Sequence, residues 1–338
     1  MSSPESTADI TPPEAIYEAV REEVGQVLVG NDGPIEHLTI SLLTGGHLLL
    51  EGIPGVAKTT IATVFARAMG IDHGRIQMTP DTLPADITGT NIYRETTGEF
   101  ELNRGPIFTN LLIADEINRA TPKTQSALLE AMAERHVTIE GETLQLPEPF
   151  VVVATQNPLE MEGVFELPEA QRDRFQFKIT IDLPERALER ELIDRFDETP
   201  DLGPETVERV ITADDVSEAQ DYVNGIYVAP AVKEYLADLI EQSRVHPDVE
   251  HGASPRATLL FLRAVKARAA IDGREYVIPD DLKTLAPAVL AHRLVLETDA
   301  ELSSVKPREV VSDLVNSVEP PGTDAVTPNG TVDSNWEF

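Results

Sequence analysis

Gly52-Ile53-Pro54-Gly55-Val56-Ala57-Lys58-Thr59 comes within one residue of G-x-x-x-x-G-K-[ST], the loop that wraps the phosphates of a nucleotide. In such a loop, backbone N–H groups converge on the β-phosphate at a helix N-terminus. The Lys58 ammonium neutralises the β/γ oxygens, and the Thr59 hydroxyl ligates Mg²⁺. Gly52 and Gly55 serve the turn and the close approach of backbone to phosphate, and Thr60 continues into the helix. The departure is Ala57, where a second glycine is usual; if that position enters the helix with negative φ, its methyl is tolerated. Two more stretches end in groups that suit the same chemistry. Asp115-Glu116 closes the apolar run Leu111 to Ala114, so Asp115 can hold Mg²⁺ through its water shell while Glu116 polarises an attacking water as general base. Asn157 closes a second apolar run, Val151 to Ala154 with Thr155 and Gln156, and its amide can orient that water. Taken singly, an Asp-Glu pair is a solvated turn and an Asn before Pro158 is a turn starter. Three such stretches in one chain outweigh those readings.

The elements around these residues stand in the order a nucleotide-binding unit requires. A helix is predicted over Glu14 to Leu28, with apolar Ile16, Ala19, Val20, Val24 and Val27 on one face. A second helix follows through Ile35, Leu38, Ile40 and Leu42. Leu48 to Leu50 suit a buried parallel strand, followed at once by the loop and a helix ending near Gly70. Strands alternating with helices imply a parallel sheet covered on both faces, an α/β core over residues 14–183, with Asp115's strand expected next to the loop's strand. Hairpins are expected near residues 91–102, turning at Thr97-Gly98, and near 136–146. Thr121 is the expected N-cap of a helix with Pro122 at its first position. Residues 184–300 have helical periodicity and form a smaller domain. Residues 1–13 and the acidic tail 301–338 are expected to be loose.

Composition bounds the rest. The chain has 338 residues, 41% of them hydrophobic, enough for about two domains with a proper core. Its apolar runs are too short to span a membrane, and Met1 to Pro13 lacks the features of a secretory signal. It has no cysteine, so disulfides and thiolate metal sites are excluded. A cytoplasmic location is the expectation. The seven histidines are scattered, and His246 with His251 lacks a metal-ligand spacing. Against 27 basic residues, only seven of them lysine, stand 59 acidic ones, for a net charge of −32. The acids are spread through the whole chain. That distribution favours adaptation to a salt-rich (halophilic) interior over a patch reserved for one basic partner. Nucleic-acid backbone binding is disfavoured either way.

The stretches "GIPGVAKTT", "LLIADEINRATPKTQSALLEAMAE", "VVVATQNPLEMEGVFELPEAQRDRF" and "GASPRA" resemble the MoxR family of AAA+ ATPases, over roughly residues 14 to 295. The family loop reads Gly-x-Pro-Gly-x-Ala-Lys-Thr, so Ala57 is in keeping with it. The resemblance implies an AAA+ P-loop core with a helical lid, ATP with Mg²⁺, and a ring oligomer, commonly a hexamer. It assigns Lys58 and Thr59 to Walker A, Asp115 and Glu116 to Walker B, and Asn157 to sensor 1. Arg174 in "DRF" matches the arginine finger, with Arg172 two residues earlier, and Arg256 in "SPRA" matches sensor 2. Val29-Gly30 matches the adenine-pocket segment, and the hairpins match the inserts of this branch. Family members resemble chaperone-like motors that act with partners carrying a von Willebrand factor A domain. Related branches with similar inserts include helicases and magnesium-chelatase motors, so a nucleic-acid or chelatase-type motor is the alternative. The hairpin tips, "RETTGEFE" and "IEGETLQ", are mostly acidic or neutral and rank it lower. A scaffold that holds nucleotide without hydrolysis is disfavoured by Glu116, Asn157 and Arg174.

Overall fold

The computed structural model describes residues 12–96, 98–159 and 163–327. Helices α1 (Pro13–Val27) and α2 (Asp32–Thr44) lead into strand β1 (Leu48–Glu51), and α3 (Lys58–Ala68) begins at the end of the glycine loop. β2 (His73–Gln77) and the short α4 (Pro84–Thr88) precede a hairpin of β3 (Gly89–Arg94) and β4 (Glu99–Arg104). Then come β5 (Leu111–Asp115), α5 (Pro122–Glu134), a hairpin of β6 (His136–Ile139) and β7 (Glu142–Gln145), β8 (Val151–Gln156), α6 (Glu169–Arg172) and β9 (Phe177–Thr180). Thr121 caps α5, its hydroxyl accepting from the Thr124 N–H at 3.5 Å, with Pro122 at the first helical position.

Five strands form one parallel sheet in the order β2-β5-β8-β1-β9. One expectation is corrected here: β5 does not lie beside β1, because β8 pairs with both and separates them. Hydrophobic patterning identifies buried strands but carries no information about which of them are neighbours. Successive residues on β1, β5 and β8 point to opposite faces. Leu48, Leu50, Leu111, Ile113, Val151 and Val153 enter one apolar cluster, with α1 to α3. Leu49, Leu112, Ala114, Val152 and Ala154 enter a second, with α5.

The C-terminal part is helical: α7 (Arg186–Glu198), α8 (Ala213–Gly225), α9 (Pro230–Val245), α10 (Pro255–Ile271) and α11 (Pro279–Leu290), with β10 (Val249–His251) paired to β11 (Val295–Leu296). α8 and α10 pack on α2, and α10 also packs on α1, so the first apolar cluster runs without a break from the sheet into the lid. Residues 301–327 are not loose as expected. α12 (Thr298–Leu302) is followed by α13 (Pro307–Ser317), whose Val310, Val311 and Leu314 are buried against α9 and α11. Pro307 at the first helical position and a Glu309 carboxylate accepting from the Lys306 N–H at 2.8 Å start this helix firmly. Of the segment 1–13 expected to be loose, Pro13 instead begins α1, and residues 1–11, like 328–338 of the tail, lie outside the described residues.

Two of the histidines are structural. His47 bridges the sheet to α5: its Nδ1 accepts from the Val152 N–H at 3.0 Å and its Nε2 meets the Met132 carbonyl at 3.1 Å. Burial pushes its pKa from 6.5 down to about 3, and burial likewise holds His292 well below 6.5. Both fold as neutral imidazoles, so their stabilisation is complete above pH 6.5 and is lost as pH falls from there towards the folded values. Each is expected to remove about 1.4 kcal/mol per pH unit in that window. Thermal melts from pH 7.5 to 5 should show a falling midpoint, and His47→Gln, though less stable overall, should flatten the slope. An unchanged slope would remove His47 as its cause.

Candidate active site

β1 delivers the glycine loop at its carboxyl end, where ligands bind in parallel α/β sheets. A Cβ on Gly52 would meet the Ile181 carbonyl at 2.5 Å, and Gly55 has φ +90° with open space beside it. Ala57 corrects a second expectation. It is the N-cap of α3 and has φ +60°, in the left-handed region, not a negative φ inside the helix. The turn that brings the following N–H groups into line must therefore hold an alanine where glycine is unstrained, at a cost of about 1 kcal/mol. Lys58 Nζ donates to the Gly52 carbonyl and, at 2.9 Å, to that of Ile53, which holds the ammonium over the loop.

The other strand ends meet the loop in one hydrogen-bonded set. Asp115, 3% exposed, accepts on Oδ1 from the Thr59 hydroxyl at 2.8 Å and the Thr155 hydroxyl at 3.1 Å. Its Oδ2 accepts from Arg75 Nε at 2.7 Å. Thr155 in turn accepts from the Glu116 N–H at 3.0 Å. Glu116 is itself in the left-handed region, φ +56°, a conformation that costs energy in a non-glycine residue and clusters at functional sites. Its carboxylate accepts from Gln77 Nε2 at 2.6 Å and pairs with Arg119 Nε at 3.4 Å. Asn157 follows β8 and is 5% exposed, with Oδ1 accepting from the Leu159 N–H at 3.1 Å. That bond is the turn role, and it leaves donation to a water to Nδ2.

Val29 and Gly30 line a pocket of about 300 Å³ together with Leu28, Ile35, Leu188 and Arg195. Leu188 of α7 comes within 2.5 Å of where a Gly30 Cβ would sit, and the φ of +70° at Gly30 favours glycine there.

Arg174 and Arg256 are not in these groups. Arg174 is partly buried, and its Nη1 donates to the Leu129 carbonyl of α5 at 2.5 Å. A guanidinium with five donors takes the nearest carbonyl. Arg256 is exposed in the first turn of α10, one residue after Pro255 and two after the N-cap Ser254. A cation is disfavoured at that positive helix end, which makes it an unusual choice for stability alone.

Arg75, Gln77 and Thr155 escaped the sequence reading. Their only signals were Arg75 and Gln77 alternating about Ile76, and Thr155 closing a run of Val and Ala.

A P-loop at the end of β1, two carboxylates at the end of β5 and a helical lid define an AAA-type ATPase. Residues 47–177 match the ATPase family associated with various cellular activities (AAA), and residues 241–314 match the AAA lid domain. The chain belongs to the MoxR family of these ATPases. It is 44% identical over 317 residues to "Chaperone MoxR1" of Mycobacterium tuberculosis, covering 91% of this chain and 83% of that one. It is 32% identical over 319 residues to "Protein MoxR" of Methylorubrum extorquens, covering 88% and 91%. A solved structure from Cytophaga hutchinsonii, described there as a candidate ATPase, superposes with a TM-score of 0.85 at 38% identity, covering 92% of this chain and 96% of that one.

Proposed function

We propose that this ATPase is a chaperone-like motor which remodels, assembles or activates protein complexes, working as a closed ring of six subunits. The carrying observation is the hydrogen-bonded set that joins Thr59, Asp115, Thr155 and Glu116 beside the Lys58 loop. Its residues fit ATP with Mg²⁺. The cradle at Gly55 is open, and Thr59 and Asp115 offer only oxygen donors, as a hard cation requires. Thr59 would hold the metal directly and Asp115 through water, and the bound ion would draw charge from the β/γ oxygens. Loop residues Gly52, Pro54, Gly55, Val56 and Ala57, with Lys58 and Thr60, take the phosphates, and Val29-Gly30 takes the adenine.

Within that frame Glu116 accepts a proton from the water that attacks the γ-phosphorus, and Asn157 holds that water in line. Gln77 and Arg119 keep the carboxylate from swinging. Arg256 reads the phosphates of its own subunit, and Arg174 reaches those of a neighbour in a head-to-tail ring. ATP supply places this work in the cytoplasm.

A protein client suits the first hairpin better than a nucleic acid. Ile92, Tyr93 and Phe100 are exposed on it, the two rings 5.3 Å apart, among Glu95, Glu99 and Glu101. Acidic neighbours repel a phosphate backbone and leave apolar contact as the available attraction. The von Willebrand A-domain partner rests on family membership. Tagged protein recovered from its own cells, grown in salt, should bring down a protein with such a domain in the presence of ATP. Its repeated absence would remove that partner.

The net charge of −32 supports adaptation to high salt. Thermal midpoints should fall as KCl drops from molar to millimolar, because unscreened carboxylates repel. A midpoint that stays level or rises on desalting would point instead to acids kept for a basic partner.

A further inference from the structure

The segment that carries Arg174 is held by its own lid. Asp173, directly before Arg174, receives two lid groups on its two carboxylate oxygens. Arg293 Nε donates to Oδ1 at 2.9 Å, and the Ser254 hydroxyl donates to Oδ2 at 2.9 Å. Arg293, with 1% of its side chain exposed, also grips the backbone around the finger: Nη2 donates to the carbonyls of Phe175 at 2.5 Å and Asp173 at 3.3 Å, and Nη1 to that of Gln176 at 3.2 Å. His292 Nε2 adds a contact to the Phe175 carbonyl at 3.2 Å. Ser254 is the N-cap of α10 and also accepts from the Ala257 N–H, so the same hydroxyl fixes the start of the helix that bears Arg256. One carboxylate thus ties the first turn of α10 to the residue beside Arg174.

We propose that Asp173, held by Arg293 and Ser254, is a positioning residue that couples the Arg256 helix of one subunit to the Arg174 which that subunit offers its neighbour. This rests on the assignment of Arg174 as a finger acting between subunits. When α10 shifts with the state of its own nucleotide, Ser254 and Arg293 carry Asp173, and the guanidinium one residue on moves relative to the neighbouring site. Displacement of a reacting group by about an ångström costs up to roughly a hundredfold in rate, so a small lid movement suffices to gate hydrolysis next door.

The test uses donor subunits that cannot bind nucleotide themselves. Wild-type protein is mixed with a large excess of Lys58→Ala subunits, mixed rings are verified, and turnover per wild-type subunit is measured. Turnover should persist with Lys58→Ala donors. With Lys58→Ala/Asp173→Ala donors it should fall by roughly tenfold to a hundredfold, while the wild-type KM for ATP stays constant, and Asp173→Asn should restore part of it. Lys58→Ala/Ser254→Gly donors keep a workable helix cap and lose only the hydroxyl link; they should lower turnover in the same direction without a matching drop in melting temperature. Lys58→Ala/Arg174→Ala donors serve as the reference. If these suppress turnover and both the Asp173→Ala and Ser254→Gly donors do not, the coupling is overturned while the finger stands. If the Arg174→Ala donors do not suppress it either, the finger assignment falls and the coupling with it.

Discussion

Arg174→Ala is expected to bind ATP with near-parental affinity and to lose hydrolysis by about a thousandfold or more, the worth of an arginine that stabilises transition-state charge. The reason is positional. Lys58, Thr59, Asp115 and Glu116 meet at the carboxyl ends of β1 and β5, where on the proposed reading they serve their own nucleotide. Arg174 follows α6, away from that set, and in the lone subunit it rests on the Leu129 carbonyl. Lys58→Ala should fail earlier, at binding, since it removes the charge that faces the β/γ-phosphates. Neither variant alone should turn over ATP. Mixed at constant total protein, they should regain activity with a maximum at intermediate ratios, because intact pockets then meet intact fingers. If verified mixed rings stay inactive at every ratio, the finger does not act between subunits through Arg174. Arg172, whose Nε, like that of Arg174, is buried with no hydrogen-bond partner among the described residues, becomes the next candidate.

Glu116→Gln is the second large effect. The amide keeps the size of the side chain but cannot take a proton from water, so hydrolysis should slow by about a hundredfold or more while ATP binding persists. The left-handed backbone at residue 116 and the Gln77 contact both aim the carboxylate, and both are compatible with glutamine at that position. Single-turnover hydrolysis beside equilibrium nucleotide binding separates the two steps. Parental turnover in Glu116→Gln would assign the base to another group.

What could be read from the sequence was chemistry that lies contiguous along the chain. The loop from Gly52 to Thr59, the pair Asp115-Glu116 and the amide at Asn157 each sit at the end of a visible apolar run. The partners that aim them could not be read. Arg75, Gln77 and Thr155 reach Asp115 and Glu116 across strands, and strand order is set by crossovers that hydrophobic patterning does not encode. Arg293 lies 120 residues from Asp173 in the chain, and a buried arginine on a helical stretch looks like any solvated one until the fold closes over it. The left-handed φ of Ala57 is not legible in the motif, because the helix begins one residue later than the motif suggests. α13 reads as a polar tail in the sequence because its apolar stripe is only Val310, Val311 and Leu314.

The unbroken apolar cluster between α1, α2 and the lid helices α8 and α10 bears on how the lid can move. A clamshell hinge would peel α8 and α10 off α2 and wet Val216, Ala219, Val223 and Phe261, all now buried. Sliding leaves these side chains dry while they exchange neighbours. The packing therefore favours a lid that shears, with displacements of about one to two ångströms carried through packed side chains, over one that hinges open.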